Sequence, residues 1–267
     1  MDKLNQNRQE IQCPQILYEV ESNFNHIQVV EEFPIRKLLF GNGCLCSEQS
    51  AINIEKNHEN VFDYSILAMH SFLFVREPTD ILVVGLGGGV VPRQIAHYFI
   101  NANVDVVEID PEVVNVAKSF FFFEETDKIK VHIGDAFALL SVNNKKYDMI
   151  ILDAFSSRYI PFHLMSKEFF QYVYCVSKDE SIIASNVCHV HPSFNSQINT
   201  MRYVFGDDMY RLDGPRNPYS TFVYSVRGGL KPIKVSKDMC HFLGIQPEPL
   251  KITEEIKSAK IFSLMSV

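Results

Sequence analysis

Between residues 16 and 54 apolar and polar positions alternate with the period of two that marks half-buried strands. The alternation is clearest in Ile27-Gln28-Val29-Val30-Glu31 and from Ile35 to Phe40. Gly41-Asn42-Gly43 is a turn signal, and a further strand is expected to follow it through Cys44 and Leu45. A hairpin of that size cannot bury its own apolar face, so it is expected to pack on the main domain or on another subunit. From residue 61 the period lengthens. Phe62, Ile66, Met69 and Leu73 recur at helical spacing until Pro78 ends the run.

Strands and helices then alternate. Strands are expected at residues 81–84, 104–109, 129–133, 147–152 and 181–187. The first is apolar throughout, as a parallel strand covered on both faces should be. Apolar stripes mark the intervening helices: Val91, Ile95 and Phe99, then Val113, Val114 and Ala117, then Phe137, Leu139 and Leu140, and later Phe169, Phe170 and Val173. Asp110-Pro111-Glu112 reads as a helix start, with a capping carboxylate, proline at the first position and an acid in the first turn. Ser166 is placed to cap another helix. After a helix marked by Phe194, Ile198, Met201 and Phe205 the rhythm breaks. Residues 209–212 and 221–226 read as two strands with no helix between them.

The predicted fold is therefore α/β and Rossmann-like. It has a mostly parallel sheet ending in a β-hairpin and a small N-terminal β-region. Residues 1–60 are expected to form an arm and the small β-hairpin region, 61–228 the main domain, and 229–267 a C-terminal extension with a helix over residues 253–262.

Composition narrows the function. The net charge of -7, without a long basic block, disfavours nucleic-acid binding and suits a cationic ligand. The first twelve residues lack the apolar core of a signal peptide, and no apolar run reaches membrane-spanning length. The six cysteines have neither zinc-ribbon nor Cys-x-x-Cys spacing. A reduced, cytoplasmic protein without membrane association is expected.

The candidate chemistry gathers at strand ends. Gly85, Gly87, Gly88 and Gly89 follow the first parallel strand. Glycine lets the backbone approach a ligand and adopt positive φ, and the helix start behind it offers free N–H groups. Gly85 and Gly87 fit the dinucleotide fingerprint, but Val90 occupies the place of its third glycine. Together with the terminal hairpin, this disfavours an NAD-dependent oxidoreductase. Glu108 and Asp110 end the second strand on the same side by strand alternation. Either can accept the hydroxyls of a nucleoside ribose, although Asp110 is also suited to cap the next helix. Asp135, in Gly134-Asp135-Ala136-Phe137, can accept an adenine amino group, cap a helix, or do both. Asp153 ends the fourth strand, at the sheet edge where open α/β folds bind ligands, and is expected to meet the reacting part of a substrate. Ser156, Ser157, Arg158, Tyr159 and His163 follow in a loop that is expected to border the same cleft. His189 and His191 lack an evident third ligand and read as structural, so no metal site is expected.

As a set these residues resemble the spermidine synthase (polyamine aminopropyltransferase) family of the class I S-adenosylmethionine-dependent methyltransferase superfamily. The resemblance runs from about residue 27 to 226. It rests on the N-terminal strands, Asp63-Tyr64, the loop Gly85-Leu86-Gly87-Gly88-Gly89 with Arg93-Gln94, Val107-Glu108-Ile109-Asp110, Gly134-Asp135-Ala136-Phe137 and Tyr147–Leu152 with Asp153. It implies aminopropyl transfer to a small-molecule amine or polyamine such as putrescine. The donor would be decarboxylated S-adenosylmethionine, with S-adenosylmethionine as the alternative, and no metal would be needed. Glu108 would hold the ribose, and Asp135 with Ala136 the adenine. Gln49 and Tyr64 would lie on the polyamine side, with Asp153, Ser156 and Tyr64 at the reacting centre. A homodimer is implied by the resemblance alone. Two departures stand out. The family carries an aspartate at the place of Gly88, where it meets the aminopropyl amine. It carries a second at the place of Ser156, which deprotonates or orients the attacking amine. These departures keep open a methyltransferase or a non-catalytic binding protein on the same fold.

Overall fold

The computed structural model of the protein describes residues 14–43, 46–75, 77–154, 160–217 and 219–231. The strand expected through Cys44 and Leu45, residues 155–159 with Ser156, and the helix expected over residues 253–262 lie outside the described residues.

Four strands, β1 (Gln15–Glu21), β2 (His26–Glu32), β3 (Ile35–Phe40) and β4 (Ser47–Asn53), form an antiparallel sheet in that order. The N-terminal β-region is thus larger than a single hairpin. Alternation puts Ile27, Val29, Leu38 and Phe40 on its buried face. That face does not stand alone but joins the core of the main domain, as its small size requires. Polar contacts fix its placement: Tyr18 donates to Glu112 at 2.9 Å, and Arg36 donates to the Phe120 carbonyl at 2.7 Å.

The second sheet contains β5 (Asp80–Val84), β6 (Asn103–Glu108), β7 (Ile129–Ile133), β8 (Tyr147–Leu152), β9 (Ser177–Val187), β10 (Met209–Asp213) and β11 (Thr221–Val226). Its strand order is β10-β11-β9-β8-β5-β6-β7. Strands β5 to β9 are parallel, and β10 and β11 close the edge as an antiparallel hairpin. The chain runs outward from β5 through β6 and β7, then returns to place β8 on the other side of β5. The ends of β5 and β8 therefore frame a topological switch point, where a crevice opens.

Two cores follow from strand alternation. Ile81, Val83, Met149 and Ile151 face one layer, with the N-terminal sheet and helices α1 (Asp63–Met69), α2 (Val90–Tyr98) and α3 (Pro111–Phe120). Leu82, Val84, Ile150 and Leu152 face the other, with α4 (Ala136–Ser141), α5 (Lys167–Val176) and α6 (Phe194–Phe205). The helix expected over residues 61–74 is a short α-helix that tightens into a 3-10 turn at His70–Leu73. Asp110 caps α3 by accepting from the Glu112 N–H at 2.9 Å, and Ser166 caps α5 by accepting from Phe169 at 3.1 Å.

Candidate active site

A cavity of about 560 Å³ lies at the switch point. The ends of β5, β6, β8 and β9 form its floor, and the N-terminal sheet supplies a wall through Phe40, Glu48 and Gln49. Its size falls within the usual range for small-molecule sites, roughly 300–1,000 Å³.

The glycine loop is shaped by contacts on both sides. Gly85 has φ +99°, and a Cβ there would lie 2.2 Å from the Asp153 carbonyl oxygen. A side chain would therefore push β5 and β8 apart at the crevice. Gly85 and Gly87 border the cavity with Leu86, whereas Gly88 and Gly89, expected on the same wall, are not among its lining residues. Gly89 is the left-handed N-cap of α2. Gly88 packs outward: a Cβ there would meet Ser50 Oγ at 2.8 Å and Phe121 at 3.0 Å. Ser50 is fully buried and shares a 2.8 Å hydrogen bond with the Tyr64 hydroxyl. A neutral pair thus backs the loop where a carboxylate at 88 would need space.

Glu108 and Asp110 divide their work. Asp110 does not line the cavity, and its oxygens are engaged by Glu112 N–H and by Ser22 Oγ at 2.5 Å. Glu108 lines the cavity and is buried. One of its oxygens accepts from Leu86 N–H at 2.9 Å, the other from Asp110 N–H at 3.0 Å. Each carboxylate oxygen retains a lone pair after one such bond, so two acceptor directions remain for a diol. Burial raises the Glu108 pKa, while the backbone N–H groups of Asp110, Leu86 and Ile109 oppose the shift. The carboxylate also ties the glycine loop to the end of β6.

Asp135 and Ala136 open α4 on the next wall. Asp135 Oδ1 accepts from Ala138 N–H at 3.1 Å, so the carboxylate does cap the helix. Its Oδ2 lies 2.8 Å from His163 Nε2. His163 thereby joins the site as a partner of Asp135.

Asp153 and Tyr64 line the same cavity. Burial pushes the Asp153 carboxyl up to about 7, against the opposing bond from Asn186, whose amide donates to Oδ1 at 2.8 Å. Burial, and then the Asp153 charge, push the Tyr64 phenol up. It therefore remains a protonated hydroxyl near neutral pH. Gln49 lines the wall and donates to Ser47 Oγ at 2.7 Å. Asp63 reaches across the rim. It accepts from Arg216 Nε at 2.6 Å and from the backbone N–H groups of Arg216 and Asn217 at 2.7 and 2.6 Å. This fixes the β10–β11 connection, from which Asn217, Tyr219 and Ser220 complete the cavity.

Outside the glycine loop, His189 bonds Thr221 at 2.8 Å and His191 bonds Ser193 at 2.7 Å, so both serve local structure. Asn186, Ser50 and the segment held by Asp63 escaped sequence reasoning. A lone asparagine or serine carries no motif, and the 216–63 pairing spans most of the chain.

A glycine loop, a buried acid ending the next strand and a capping acid beyond it, all at a switch point, belong to an α/β fold of the class I methyltransferase type. The Spermine/spermidine synthase domain family matches residues 49–209, more than half of the chain, and the chain belongs to that family. The polyamine aminopropyltransferase of Vibrio vulnificus is 30% identical over 197 residues, covering 73% of this chain. The chain spans 66% of that relative's length. A probable spermidine synthase from Corynebacterium glutamicum superposes with a TM-score of 0.68 at 17% identity, covering 79% of each chain. A spermidine synthase in complex with the transition state analogue AdoDATO gives 0.69 at 16% identity, covering 92% of this chain and 85% of the other. These structural likenesses show the shared fold.

Proposed function

We propose that this chain is a spermidine synthase-like transferase that moves an aminopropyl group from decarboxylated S-adenosylmethionine to an amine of a small polyamine such as putrescine. The observation that carries this reading is Asp153, a carboxylate at the crevice with its pKa raised to about 7. Glu48, Glu108 and Asp135 line the same cavity and make its walls acidic. Family membership and the relatives' names support the same reaction class.

In this reading Glu108 takes the ribose hydroxyls, Asp135 and Ala136 the adenine, and the backbone at Gly85 and Gly87 lies against the donor. Gln49 and Tyr64 orient the acceptor, and Ser156 occupies the place of the family's second aspartate. An alkylammonium, with a reference pKa near ~10.4, has no lone pair to attack with. Asp153 accepts its proton and holds the neutral nitrogen in line. The nitrogen bonds to the propyl carbon as the carbon–sulfur bond breaks. That electron pair stays on sulfur, and methylthioadenosine leaves. The sulfonium is already a good leaving group, so the protein's share is mainly proximity and proton removal.

Methyl transfer from S-adenosylmethionine is the second reading. The neutral Ser50–Tyr64 pair behind Gly88 favours it, because no carboxylate stands there to repel a methionine tail. Calorimetry with decarboxylated S-adenosylmethionine, S-adenosylmethionine and methylthioadenosine tests both. Tighter binding of the decarboxylated donor supports aminopropyl transfer, and preference for S-adenosylmethionine supports methyl transfer. Binding of none of the three refutes both.

A further inference from the structure

Asp153 stands where β8 ends, and the strand beside it continues. In the parallel pairing of β8 with β9, Leu152 lies opposite Ser185, so Asn186 sits one step further, level with Asp153. On its other side Asn186 is paired with Phe222 of β11. The β11 pairing and the β8–β9 ladder that ends one residue before it fix its place in the sheet, and it lines the cavity. Its amide donates to Asp153 Oδ1 at 2.8 Å. Among the described residues, no other side chain hydrogen-bonds this carboxylate.

The other titratable groups around the cavity are engaged elsewhere or lie on other walls. Tyr64 of α1 bonds Ser50, Glu48 of β4 pairs with Lys37, Glu108 of β6 holds backbone N–H groups, and Asp135 of α4 pairs with His163. Cys188 and Tyr219 line the cavity beyond β9 and before β11.

We infer that Asn186 is a positioning residue for the transfer reaction: by anchoring Oδ1 of Asp153 it fixes the carboxylate plane, so that Oδ2 is the oxygen that meets the acceptor amine. This rests on the reading of Asp153 as proton acceptor given above. The choice of a neutral amide matters chemically. Lysine or arginine at 186 would trap Asp153 as a permanently paired carboxylate and weaken it as a base. An apolar residue would leave it free to rotate and harder to ionise. An asparagine N–H orients the group and favours its charged form by one hydrogen bond without neutralising it.

The test is Asn186→Leu, which keeps the volume and removes the donor, with Asn186→Ser as a smaller variant that retains a hydroxyl donor. Two readouts are combined. The first is the titration of the Asp153 carboxyl by ¹³C NMR, assigned by its loss in Asp153→Asn. The second is the pH dependence of kcat. In N186L the titration is expected to move upward by about one pH unit or more, the equivalent of one charged hydrogen bond. The acid limb of kcat should move with it, and kcat should fall about fivefold or more at pH 7 and nearly tenfold at pH 6, where the ionised fraction changes about tenfold per pH unit. Donor affinity should stay within about twofold, and N186S should recover part of the shift. An unmoved titration in both variants overturns the inference. So does a kcat loss in N186L that is the same at every pH. The NMR titration needs no turnover. If the unaltered protein makes no transfer product but N186L still shifts Asp153, the functional reading fails while the anchoring stands. If N186L does not fold, the N186S titration alone decides.

Discussion

At Asp153 burial and hydrogen bonding oppose each other, and burial wins. The folded pKa of about 7 lies above the ordinary value of 3.8. The stability linked to this group is therefore fully present below the ordinary value, where the carboxyl is protonated in both states. It is lost as pH rises through about 7. Asp153→Asn mimics the protonated form, so it should raise the Tm relative to the unaltered protein at pH 8, raise it less at pH 5 and change it little below about pH 4, as read by calorimetric melting. It should also lower transfer by about 10²–10⁴-fold at pH 7.5 with donor affinity retained. A lower Tm at pH 8 would contradict the ionisation assigned to this residue. At Glu108 the expectation concerns binding. Glu108→Ala removes the acceptor for the ribose and the anchor of the Leu86 and Asp110 N–H groups, so donor affinity by titration calorimetry should fall by roughly 1.5–3 kcal/mol. Unchanged affinity would mean that the diol is held elsewhere.

Single elements explain how far the sequence could be read. The parallel strands and the caps at Asp110 and Ser166 were legible because each depends on a few adjacent residues: an apolar run, a proline at the first helical position, a hydroxyl before an amphipathic stripe. Choosing Glu108 over Asp110 was not possible from alternation, which puts both on one side. In the structure Ser22 and the Glu112 N–H engage Asp110, whereas Glu108 lines the cavity. The glycine loop was legible as a tight strand-to-helix turn but not in the different surroundings of its glycines. Gly88 turns towards Ser50 and Phe121, residues 38 and 33 positions away in sequence by subtraction of their numbers. Gly88→Asp should accordingly cost about 1–3 kcal/mol through overpacking, with no gain in turnover. Adding Ser50→Gly should recover part of the lost stability in a denaturant melt. Full stability of G88D alone would show that the wall yields. The β10–β11 connection is likewise set by a distant residue. Asp63→Ala should leave the Arg216 and Asn217 N–H groups unpaired, lower stability by about 1–3 kcal/mol and raise the acceptor KM more than it changes donor affinity. Equal effects on both ligands would place this segment against the donor instead.

Across the whole molecule, each layer contributes one part of the cavity. The parallel sheet brings Glu108 and Asp153 to the ends of the two strands that flank β5, because the strand order reverses there. The N-terminal sheet, packed on the same core, adds Gln49 and Glu48 and backs the glycine loop with Ser50. The antiparallel hairpin adds the far rim, tied down by Asp63. The period of the hydrophobic pattern announced the sheets and their order of appearance, but not that the first sheet would be a wall of the site, since that depends on packing between segments far apart in sequence. The central claim is that this cavity joins an aminopropyl donor to an amine with Asp153 as the base. It is tested most directly by incubating the full chain with decarboxylated S-adenosylmethionine and putrescine and quantifying products by mass spectrometry. Spermidine and methylthioadenosine in equal amounts, both greatly reduced in Asp153→Asn, are predicted. Formation of neither, or a methylated amine from S-adenosylmethionine in their place, would contradict it.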